Sequence, residues 1–228
     1  MAHSFSGTGP GIQTPDGCSI ELYRQLPYMN ELSDIEPELG TQKAALELGC
    51  GTGRLCRRLQ EIGLQATGVD ESAAMLAHLP PAVEGIESRI EELSLGRTWP
   101  AVLLPSHLIN HPEESVRRSF VEAARRHIEP TGVFYVKRHS TQWLSTVQDG
   151  HIGGSNGVAY YAENVLRKGD LLSMTLRYEI LGQSWTQSFM TRALEKIQIE
   201  KLLARCGFGN FRWLGKQELW VAATPSDA

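Results

Sequence analysis

Residues 44–70 read AALELGCGTGRLCRRLQEIGLQATGVD, and the interpretation of the whole chain starts from this stretch. It opens with an apolar run that ends at Leu48. Alternating glycines follow the run, at Gly49, Gly51 and Gly53. Arg54 to Ile62 then has apolar side chains at helical spacing, and residues 66–69 are apolar again. The stretch therefore predicts a strand, a glycine loop, a helix and a second strand.

A loop of this kind suits a nucleoside or nucleotide ligand. Glycines, which have no Cβ, let the backbone turn sharply and let a ligand approach the main chain. The helix that follows offers unpaired N–H groups to a polar ligand. Asp70 ends the second strand, where its carboxylate can accept the two hydroxyl hydrogens of a ribose bound across the loop.

The spacing of the glycines separates the nucleotide-binding motifs. A dinucleotide fingerprint, G-x-G-x-x-G, would place its third glycine at Arg54, but the glycine is Gly53. A phosphate-binding P-loop needs Lys and then Ser or Thr after its last glycine, whereas Arg54 and Leu55 follow here. What remains is an acidic residue, Glu47, two places before the first glycine, and the acidic end of the second strand.

Glu47 to Gly53 and Gly68 to Asp70 together resemble the first two motifs of the class I S-adenosylmethionine-dependent methyltransferases. The resemblance implies an α/β, Rossmann-like methyltransferase fold: a mostly parallel seven-stranded sheet with an antiparallel last strand. It also implies S-adenosyl-L-methionine as the cofactor, and a reaction that needs no metal. We assign the cofactor site to Glu47, Gly49, Cys50, Gly51, Gly53, Asp70, Glu71, Met75, Ile90, Glu91 and Pro105.

Composition and charge limit the class of protein. A chain of 228 residues, 41% of them apolar, can bury the core of one full α/β domain but not of a second large one. Its net charge is −4 with both signs mixed, so we expect no nucleic-acid substrate. No apolar run is long enough to span a bilayer, and the start, MAHSFSGTGPG, lacks a signal-peptide pattern. We therefore expect no membrane association and a cytoplasmic monomer or homodimer.

The four cysteines are expected to be free thiols. Cys18, Cys50, Cys56 and Cys206 show no C-x-x-C pairing, which disfavours a zinc site. A disulfide at Cys50 would also distort the glycine loop.

The N-terminal part of the chain has two sections. Residues 1–17 are rich in Gly, Ser, Thr and Pro, which favours a mobile leader or a lid that orders on ligand binding. Residues 20–39 have a roughly helical apolar pattern interrupted by Pro27, which predicts one helix or two short ones. In relatives of the resembled family such a helix often covers the cofactor and contributes an aromatic residue. Tyr23 and Tyr28 are the candidates, and packing of both rings on the core is the alternative.

The segment after the second strand completes the predicted cofactor site. Ser72 is a suitable N-cap for a short helix, on which Met75 faces either the adenosine pocket or the core. Residues 85–87 predict a third strand, and by resemblance the loop after it grips adenine. Ile90 would supply an apolar wall and a backbone N–H there, and Glu91 would be the acceptor.

A buried strand over residues 101–104 leads into the best candidate for a catalytic stretch. Its carboxyl end reads Pro105-Ser106-His107-Leu108-Ile109-Asn110-His111, and ligands of open parallel sheets bind at such ends. The stretch lacks the Asp/Asn-Pro-Pro-Tyr tetrapeptide with which relatives clamp a nucleobase or glutamine nitrogen. We assign His107, Asn110 and His111 to catalysis and favour His107 as general base, because it lies nearest the strand end. A helix-start histidine without a chemical role is the alternative for either one.

Further candidates follow the fifth strand. An amphipathic helix over residues 113–128, a turn at residues 130–132 and a strand over residues 133–136 come first. His139 and Trp143 then leave the sheet at its carboxyl edge, so we assign both to the acceptor pocket.

Residues 157–190 predict three antiparallel strands with tight turns, which form a small β cap. Tyr160 and Trp185 of this cap are assigned to the substrate. The predicted organisation is a mobile leader over residues 1–17 and a single methyltransferase domain over residues 18–223, with the cap inserted at about residues 155–192.

The implied cofactor carries its methyl on a positively charged sulfur, and transfer mainly requires a nucleophile held on the methyl axis in a dry pocket. We therefore predict methyl transfer to an O or N atom of a small molecule in specialised metabolism. Two alternatives stay open. One is an enzyme of the same fold that cyclises or cleaves the cofactor and releases methylthioadenosine, and the other is a cofactor-binding regulator without turnover.

Overall fold

The computed structural model describes residues 5–226, which divide into two compact units. The sheet unit combines residues 30–140 with residues 194–226 and contains a seven-stranded sheet. The cap unit combines residues 5–29 with residues 141–193 and contains a five-stranded sheet. The N-terminal segment therefore belongs to the same unit as the predicted cap.

The elements are numbered in chain order. The strands are β1 (Ser6–Thr8), β2 (Ala44–Leu48), β3 (Gln65–Asp70), β4 (Glu84–Glu87), β5 (Trp99–Leu104), β6 (Ile128–Lys137), β7 (Gly150–Ser155), β8 (Val158–Lys168), β9 (Leu171–Ile180), β10 (Gln183–Arg192), β11 (Phe208–Leu214) and β12 (Trp220–Pro225). The helices are α1 (Ile20–Gln25), α2 (Glu36–Leu39), α3 (Arg54–Glu61), α4 (Ala73–Leu76), α5 (Glu114–His127), α6 (Thr141–Thr146) and α7 (Lys196–Arg205). Single turns of 3-10 helix cover Ile90–Glu92 and Leu108–Asn110.

The sheet of the sheet unit has the strand order β11-β12-β6-β5-β2-β3-β4. Neighbouring strands from β6 to β4 are parallel, whereas β12 runs antiparallel to β6 and β11 antiparallel to β12. The carboxyl ends of the five parallel strands therefore meet at one edge. In the register of β2 and β3, Leu48 lies opposite Val69, so the glycine loop starts beside Asp70.

One face of this sheet is covered by α5 and α7. Val102 and Leu104 of β5 and Phe134 and Val136 of β6 are fully buried there. They share a core cluster with apolar residues of the two helices: Phe120, Val121, Ala123, Ala124, Ile199, Leu202 and Leu203. Because side chains alternate along a strand, this cluster occupies every second residue of each strand.

The turn predicted at residues 130–132 is wrong. The chain leaves α5 at His127 and enters β6 directly at Ile128, with a register shift against β5 between Trp99 and Ala101. A Cβ on Gly132 would lie 3.0 Å from the carbonyl oxygen of Pro100. Gly132 thus lets the irregular part of β6 approach β5 closely, where the sequence pattern favoured a turn.

The sheet of the cap unit has the order β1-β10-β9-β8-β7, with every neighbouring pair antiparallel. The sequence pattern identified three of its five strands. It missed β7, which reads GHIGGS, and β1, which has three residues, because neither carries an alternating apolar pattern.

The predicted mobile leader contributes to this sheet. In β1, Ser6 lies opposite Ser188 and Thr8 opposite Thr186 of β10. Residues 1–4 of the leader lie outside the described residues. Two clusters of apolar residues form the cap unit's core, one around Trp185 and Tyr178 and one around Leu144 and Met174.

The structure also bears on the predicted absence of a membrane span and on the predicted free thiols. Within residues 5–226, no helix is long and apolar enough to cross a membrane. All four cysteines are free thiols in the structure.

Candidate active site

The glycine loop folds back over the end of β3. Gly49, Gly51 and Gly53 have φ angles of 75°, 54° and 80°, in the left-handed region that favours glycine. The N–H groups of Gly49 and Cys50 both donate to the carbonyl oxygen of Val69, at 2.8 and 2.9 Å. The loop is therefore held against the carboxyl end of the neighbouring strand before α3 begins.

Asp70 connects the two parts of the predicted motif. Its Oδ2 accepts the N–H of Gly51 at 2.8 Å, and its Oδ1 accepts the N–H of Ser72 at 3.0 Å. A carboxylate offers about four lone-pair positions, so it can accept several hydrogens at once. Asp70 is half-buried at the sheet edge. This geometry suits a diol whose hydroxyls each donate to one oxygen.

Glu47 lies behind the loop and is only 2% exposed. Its Oε2 accepts the thiol hydrogen of Cys56 on α3, at 2.9 Å. Burial, reinforced by the negative charge of Asp70 and opposed by the Cys56 hydrogen bond, raises the pKa of Glu47 to about 8. The side chain therefore links the end of β2 to α3, on either side of the glycine loop. Its predicted contact with a cofactor stays a prediction.

Two of the loop glycines suit the backbone conformation and packing of the protein itself. A Cβ on Gly49 would lie 2.9 Å from Cδ1 of Leu108, and one on Gly53 would lie 2.4 Å from Cδ2 of Leu79. Both residues also have positive φ angles. Glycine was expected here for ligand approach, whereas the left-handed backbone and the nearby leucine methyls already disfavour a side chain at both positions.

The other predicted cofactor residues lie along the same edge with different exposure. Glu71 is exposed, whereas Cys50, Met75, Ile90 and Pro105 are buried. Glu91 is half-buried and pairs with Arg89 at 3.1 Å. Asp70 lies opposite Glu87 in the register of β3 and β4, so the loop after β4 starts beside Asp70. The structure thus brings these positions together at one edge, and their roles toward a cofactor stay predictions.

The loop after β5 has an unusual backbone. Ser106 and His107 follow each other in the left-handed region, with φ angles of 57° and 60°. Non-glycine residues seldom adopt this conformation, and such strain is concentrated at functional sites. The turn of 3-10 helix at Leu108–Asn110 follows at once, and the N–H of Asn110 donates to the carbonyl oxygen of His107 at 2.8 Å.

His107 and His139 form a stacked pair. Their ring centroids lie 3.8 Å apart with an angle of 10° between the planes. Burial, followed by the positive charges of His139 and Lys137, lowers the pKa of His107 well below its usual range. Burial and then Lys137 lower the pKa of His139 to about 4. Both imidazoles are therefore neutral at pH 7, the form in which a histidine can accept a proton.

Asn110 positions this pair. It is 1% exposed, and its Oδ1 accepts the backbone N–H of His139 at 2.8 Å. The bond ties the loop after β5 to the end of β6. The structure thus gives Asn110 a positioning contact, and its predicted catalytic role stays a prediction.

His111 has the contacts of a residue that starts a helix. Its Nδ1 accepts the N–H of Glu113 at 3.2 Å, and its carbonyl oxygen accepts from the guanidinium of Arg117. Its ring meets Phe120 edge-on, with centroids 6.4 Å apart. Burial lowers the pKa of His111. These contacts support the alternative interpretation, in which His111 shapes the entry into α5.

The remaining predicted substrate residues belong to the cap unit. Trp185 is fully buried there, and its Nε1–H donates to the carbonyl oxygen of Pro10 at 2.9 Å. A substrate could reach this ring only if the core opened. Tyr23 contacts the thiol of Cys18, and Tyr160 meets Tyr178 edge-on. The half-buried aromatic candidates of this unit are Tyr23, Tyr28, Trp143 and Tyr160.

Lys137, the last residue of β6, begins the stretch that leaves the sheet at its carboxyl edge. Its Nζ lies 5.6 Å from the ring centroid of Trp220. Burial, followed by the positive charge of Arg54, lowers the pKa of Lys137 to about 8, and Asp34 acts in the opposite direction. Like His139, Lys137 lies at a carboxyl strand end, where ligands of parallel sheets bind.

Comparison with known proteins identifies the domain. Residues 45–132 match the family model described as a methyltransferase domain. Residues 45–132 carry a methyltransferase domain. The matched residues run from β2 into β6 and include the glycine loop, Asp70 and the loop after β5. The family predicted from the sequence is confirmed.

One curated relative matches part of the chain. It is the putative methyltransferase YqeM of Bacillus subtilis (strain 168), 40% identical over 57 residues. The match spans 25% of this chain and 23% of that protein.

Solved structures extend the likeness to nearly the whole chain. A sugar N-methyltransferase, KedS8 from Streptoalloteichus sp ATCC 53650, has a TM-score of 0.72 at 18% identity and covers 96% of each chain. An S-adenosylmethionine-dependent methyltransferase from Clostridium acetobutylicum ATCC 824 has a TM-score of 0.69 at 19% identity, over 90% of this chain and 95% of that one. CalS10, an amino pentose methyltransferase from Micromonospora echinaspora, has a TM-score of 0.69 at 20% identity, over 90% and 94%. The predicted fold class is confirmed.

Proposed function

We propose that this methyltransferase domain binds S-adenosyl-L-methionine and transfers its methyl group to an oxygen or nitrogen atom of a small molecule. The observation that carries the proposal is the bond from the Gly51 N–H to Asp70 at 2.8 Å. It joins the glycine loop to an acidic strand end, the position from which a carboxylate would accept the hydroxyls of a ribose. The names of the structural neighbours, a sugar N-methyltransferase and an amino pentose methyltransferase, support a small-molecule acceptor in specialised metabolism.

The chain's residues fit this cofactor. Asp70 would hold the ribose hydroxyls, the main chain at the left-handed Gly51 would lie against the ligand, and Ile90 and Glu91 would flank adenine. When bound, the cofactor supplies an electrophilic methyl group on a positively charged sulfur. The work of the protein is then to position the acceptor and exclude water.

His107 is the proposed general base for a hydroxyl acceptor. Its ring is neutral at pH 7 because burial and nearby positive charges lower its pKa. The stack with His139 holds the ring in one orientation, and Asn110 in turn holds the backbone of His139. An amine acceptor would need only to arrive neutral, and His107 would then orient it.

We propose that the protein acts in the cytoplasm as a monomer or homodimer.

Calorimetric titration with S-adenosylhomocysteine tests the cofactor site. Asp70→Asn should weaken binding by about 10- to 100-fold, since it removes the charge from an acceptor of two hydrogen bonds. Glu122→Gln, on the exposed side of α5, should bind like the unaltered protein. Equal affinities for both variants would refute the assignment of Asp70.

Incubation with S-adenosylmethionine alone, followed by mass spectrometry, tests the reaction class. A methyltransferase that lacks its acceptor should leave the cofactor intact, and a screen of hydroxyl and amine compounds should then yield a product heavier by one methylene. Release of methylthioadenosine would instead indicate cyclisation or cleavage of the cofactor. Saturable binding without turnover across the screen would indicate a regulator.

A further inference from the structure

Several basic side chains gather where β5 and β6 end. We call His107, His139, Lys137 and Arg54 the basic cluster. His107 follows β5, Lys137 ends β6, and His139 comes two residues later. Arg54 is the first residue of α3, directly after the glycine loop. The imidazole stack of 3.8 Å fixes two members of the cluster against each other.

The cluster disfavours the accumulation of positive charge, and its two imidazoles are neutral at pH 7. Lys137 disfavours the protonation of both imidazoles, and Arg54 disfavours that of Lys137. Two acidic residues moderate the cluster: Glu31 is ion-paired with Arg54, and Asp34 favours the charged form of Lys137. Lys137, His107 and His139 are each half-buried, which strengthens their electrostatic interactions.

We propose that the basic cluster binds an oxyanion group, a carboxylate or a phosphate, carried by the methyl acceptor. Such a group would favour positive charge in the cluster, because one negative charge interacts favourably with Lys137 and with a protonated or N–H-donating imidazole. The inference rests on the proposed function for the identity of the acceptor. It adds that the acceptor is anionic next to the atom that is methylated.

The environment of Lys137 differs from that of a lysine on the protein surface. Its ammonium lies 5.6 Å from the Trp220 ring centroid, so the ring restricts the side chain on one side. Arg54, from another element of the same unit, acts on Lys137, and Lys137 in turn acts on His139.

Histidine NMR signals test the site without any methyl acceptor. Inorganic phosphate and acetate, at equal ionic strength against chloride, should each be titrated at pH 7 into the protein bound to S-adenosylhomocysteine and into the free protein. The imidazole signals of His107 and His139 should shift and saturate, and the apparent pKa of these rings should rise by about one pH unit or more. The exposed His78 reports general ionic effects.

Substitutions locate the effect. Lys137→Gln should weaken the binding of phosphate or acetate by tenfold or more, whereas Lys201→Gln, exposed on α7, should leave it unchanged. Tighter saturation by phosphate than by acetate would assign a phosphoryl group to the acceptor, and the reverse would assign a carboxylate. Linear shifts without saturation, or equal affinity in Lys137→Gln, would overturn the proposal.

The two proposals fail separately in this experiment. If S-adenosylhomocysteine binds but neither anion saturates the imidazole signals, the methyltransferase function stands and the anionic acceptor is refuted. If an anion saturates the signals but S-adenosylhomocysteine does not bind, the oxyanion site stands and the proposed cofactor is refuted.

Discussion

Gly68, in the middle of β3, leaves space for side chains of the glycine loop and of α3. A Cβ at this position would lie 2.6 Å from Sγ of Cys50 and 3.1 Å from Sγ of Cys56. Cys50 belongs to the glycine loop, and Cys56 donates its thiol hydrogen to the buried Glu47. The missing side chain at Gly68 therefore makes room for the two thiols that support the loop.

Substitution of Gly68 should disturb this packing. Gly68→Ala should lower the free energy of unfolding by about 1 to 3 kcal/mol, because the added methyl overlaps two buried sulfur atoms. Gly40→Ala is the matched control: its φ is −60°, and its Cβ would lie 3.4 Å from the Glu36 carbonyl oxygen. We expect it to change stability by about 0.5 kcal/mol or less. Urea denaturation measures both, and equal losses would contradict the packing argument.

His107 and His111 should respond differently to truncation. With a hydroxyl acceptor found by the screen, His107→Ala should reduce turnover by about 10² to 10⁴ fold, because a neutral base next to the nucleophile is lost. His111→Ala should keep turnover within a few fold, since His111 contacts the start of α5. Affinity for S-adenosylhomocysteine should be retained in both. Full turnover of His107→Ala would leave no role for this histidine as a base.

At the scale of elements, the start of α7 is fixed by hydrogen bonds between its N-cap residue and its first turn. Glu195 is the N-cap: its side chain accepts the N–H of Gln198, and the Gln198 side chain accepts the N–H of Glu195 at 2.7 Å. This capping box satisfies two donors that a helix start leaves unpaired. The helix then packs Ile199, Leu202 and Leu203 into the core of the sheet unit.

Removal of the cap should weaken the sheet unit measurably. Glu195→Ala should lower the free energy of unfolding by about 1 kcal/mol, because one backbone donor loses its acceptor. Lys201→Ala, on the exposed side of the same helix, should have little effect since alanine is a good helix former. Urea midpoints of the two variants provide the comparison. A larger effect at Lys201 than at Glu195 would show that the cap is not what stabilises the helix start.

At the scale of the whole molecule, buried histidines link stability to pH. The pKa values of His107, His111, His127 and His139 are all lowered, in each case mainly by burial. Below about pH 6.5 the unfolded chain therefore binds protons that the folded protein does not, and acid favours unfolding. Glu47 acts in the opposite sense, since its raised pKa makes the folded protein hold a proton from about pH 4.5 to about pH 8. Because four histidines favour the unfolded chain on protonation and only Glu47 favours the folded protein, acidification should lower the free energy of unfolding.

The pH dependence of unfolding tests this balance. The free energy of unfolding should fall as the pH decreases from 6.5 to 5. His127 is 1% exposed and its Nε2 accepts the N–H of Leu95 at 3.0 Å, so His127→Gln should reduce the slope by up to about one proton, or about 1.4 kcal/mol per pH unit. His78→Gln, at an exposed site, should leave the slope unchanged. A slope that stays the same in His127→Gln would contradict the assignment.

The sequence alone determined the parts of the protein whose residues act close to one another along the chain. The strand, glycine loop, helix and second strand from Ala44 to Asp70 lie where they were predicted, because glycines at fixed spacing and apolar periodicity act locally. The same holds for Ser72, whose side chain accepts the N–H of Met75 as the N-cap of α4. These local signals were enough to predict the family and the succession of strand, loop, helix and strand along the chain.

Only the tertiary structure decided which distant residues meet. The stack of His107 on His139 joins the ends of two strands. It depends on a left-handed backbone at Ser106 and His107, and neither serine nor histidine predicts that conformation. Pairing of β1 with β10 joins residues about 180 positions apart without an apolar pattern. The lowered pKa of Lys137 likewise depends on Arg54 from another element. Burial and charge at a site are sums over neighbours, and neighbours are set by strand order, which short-range patterns do not encode.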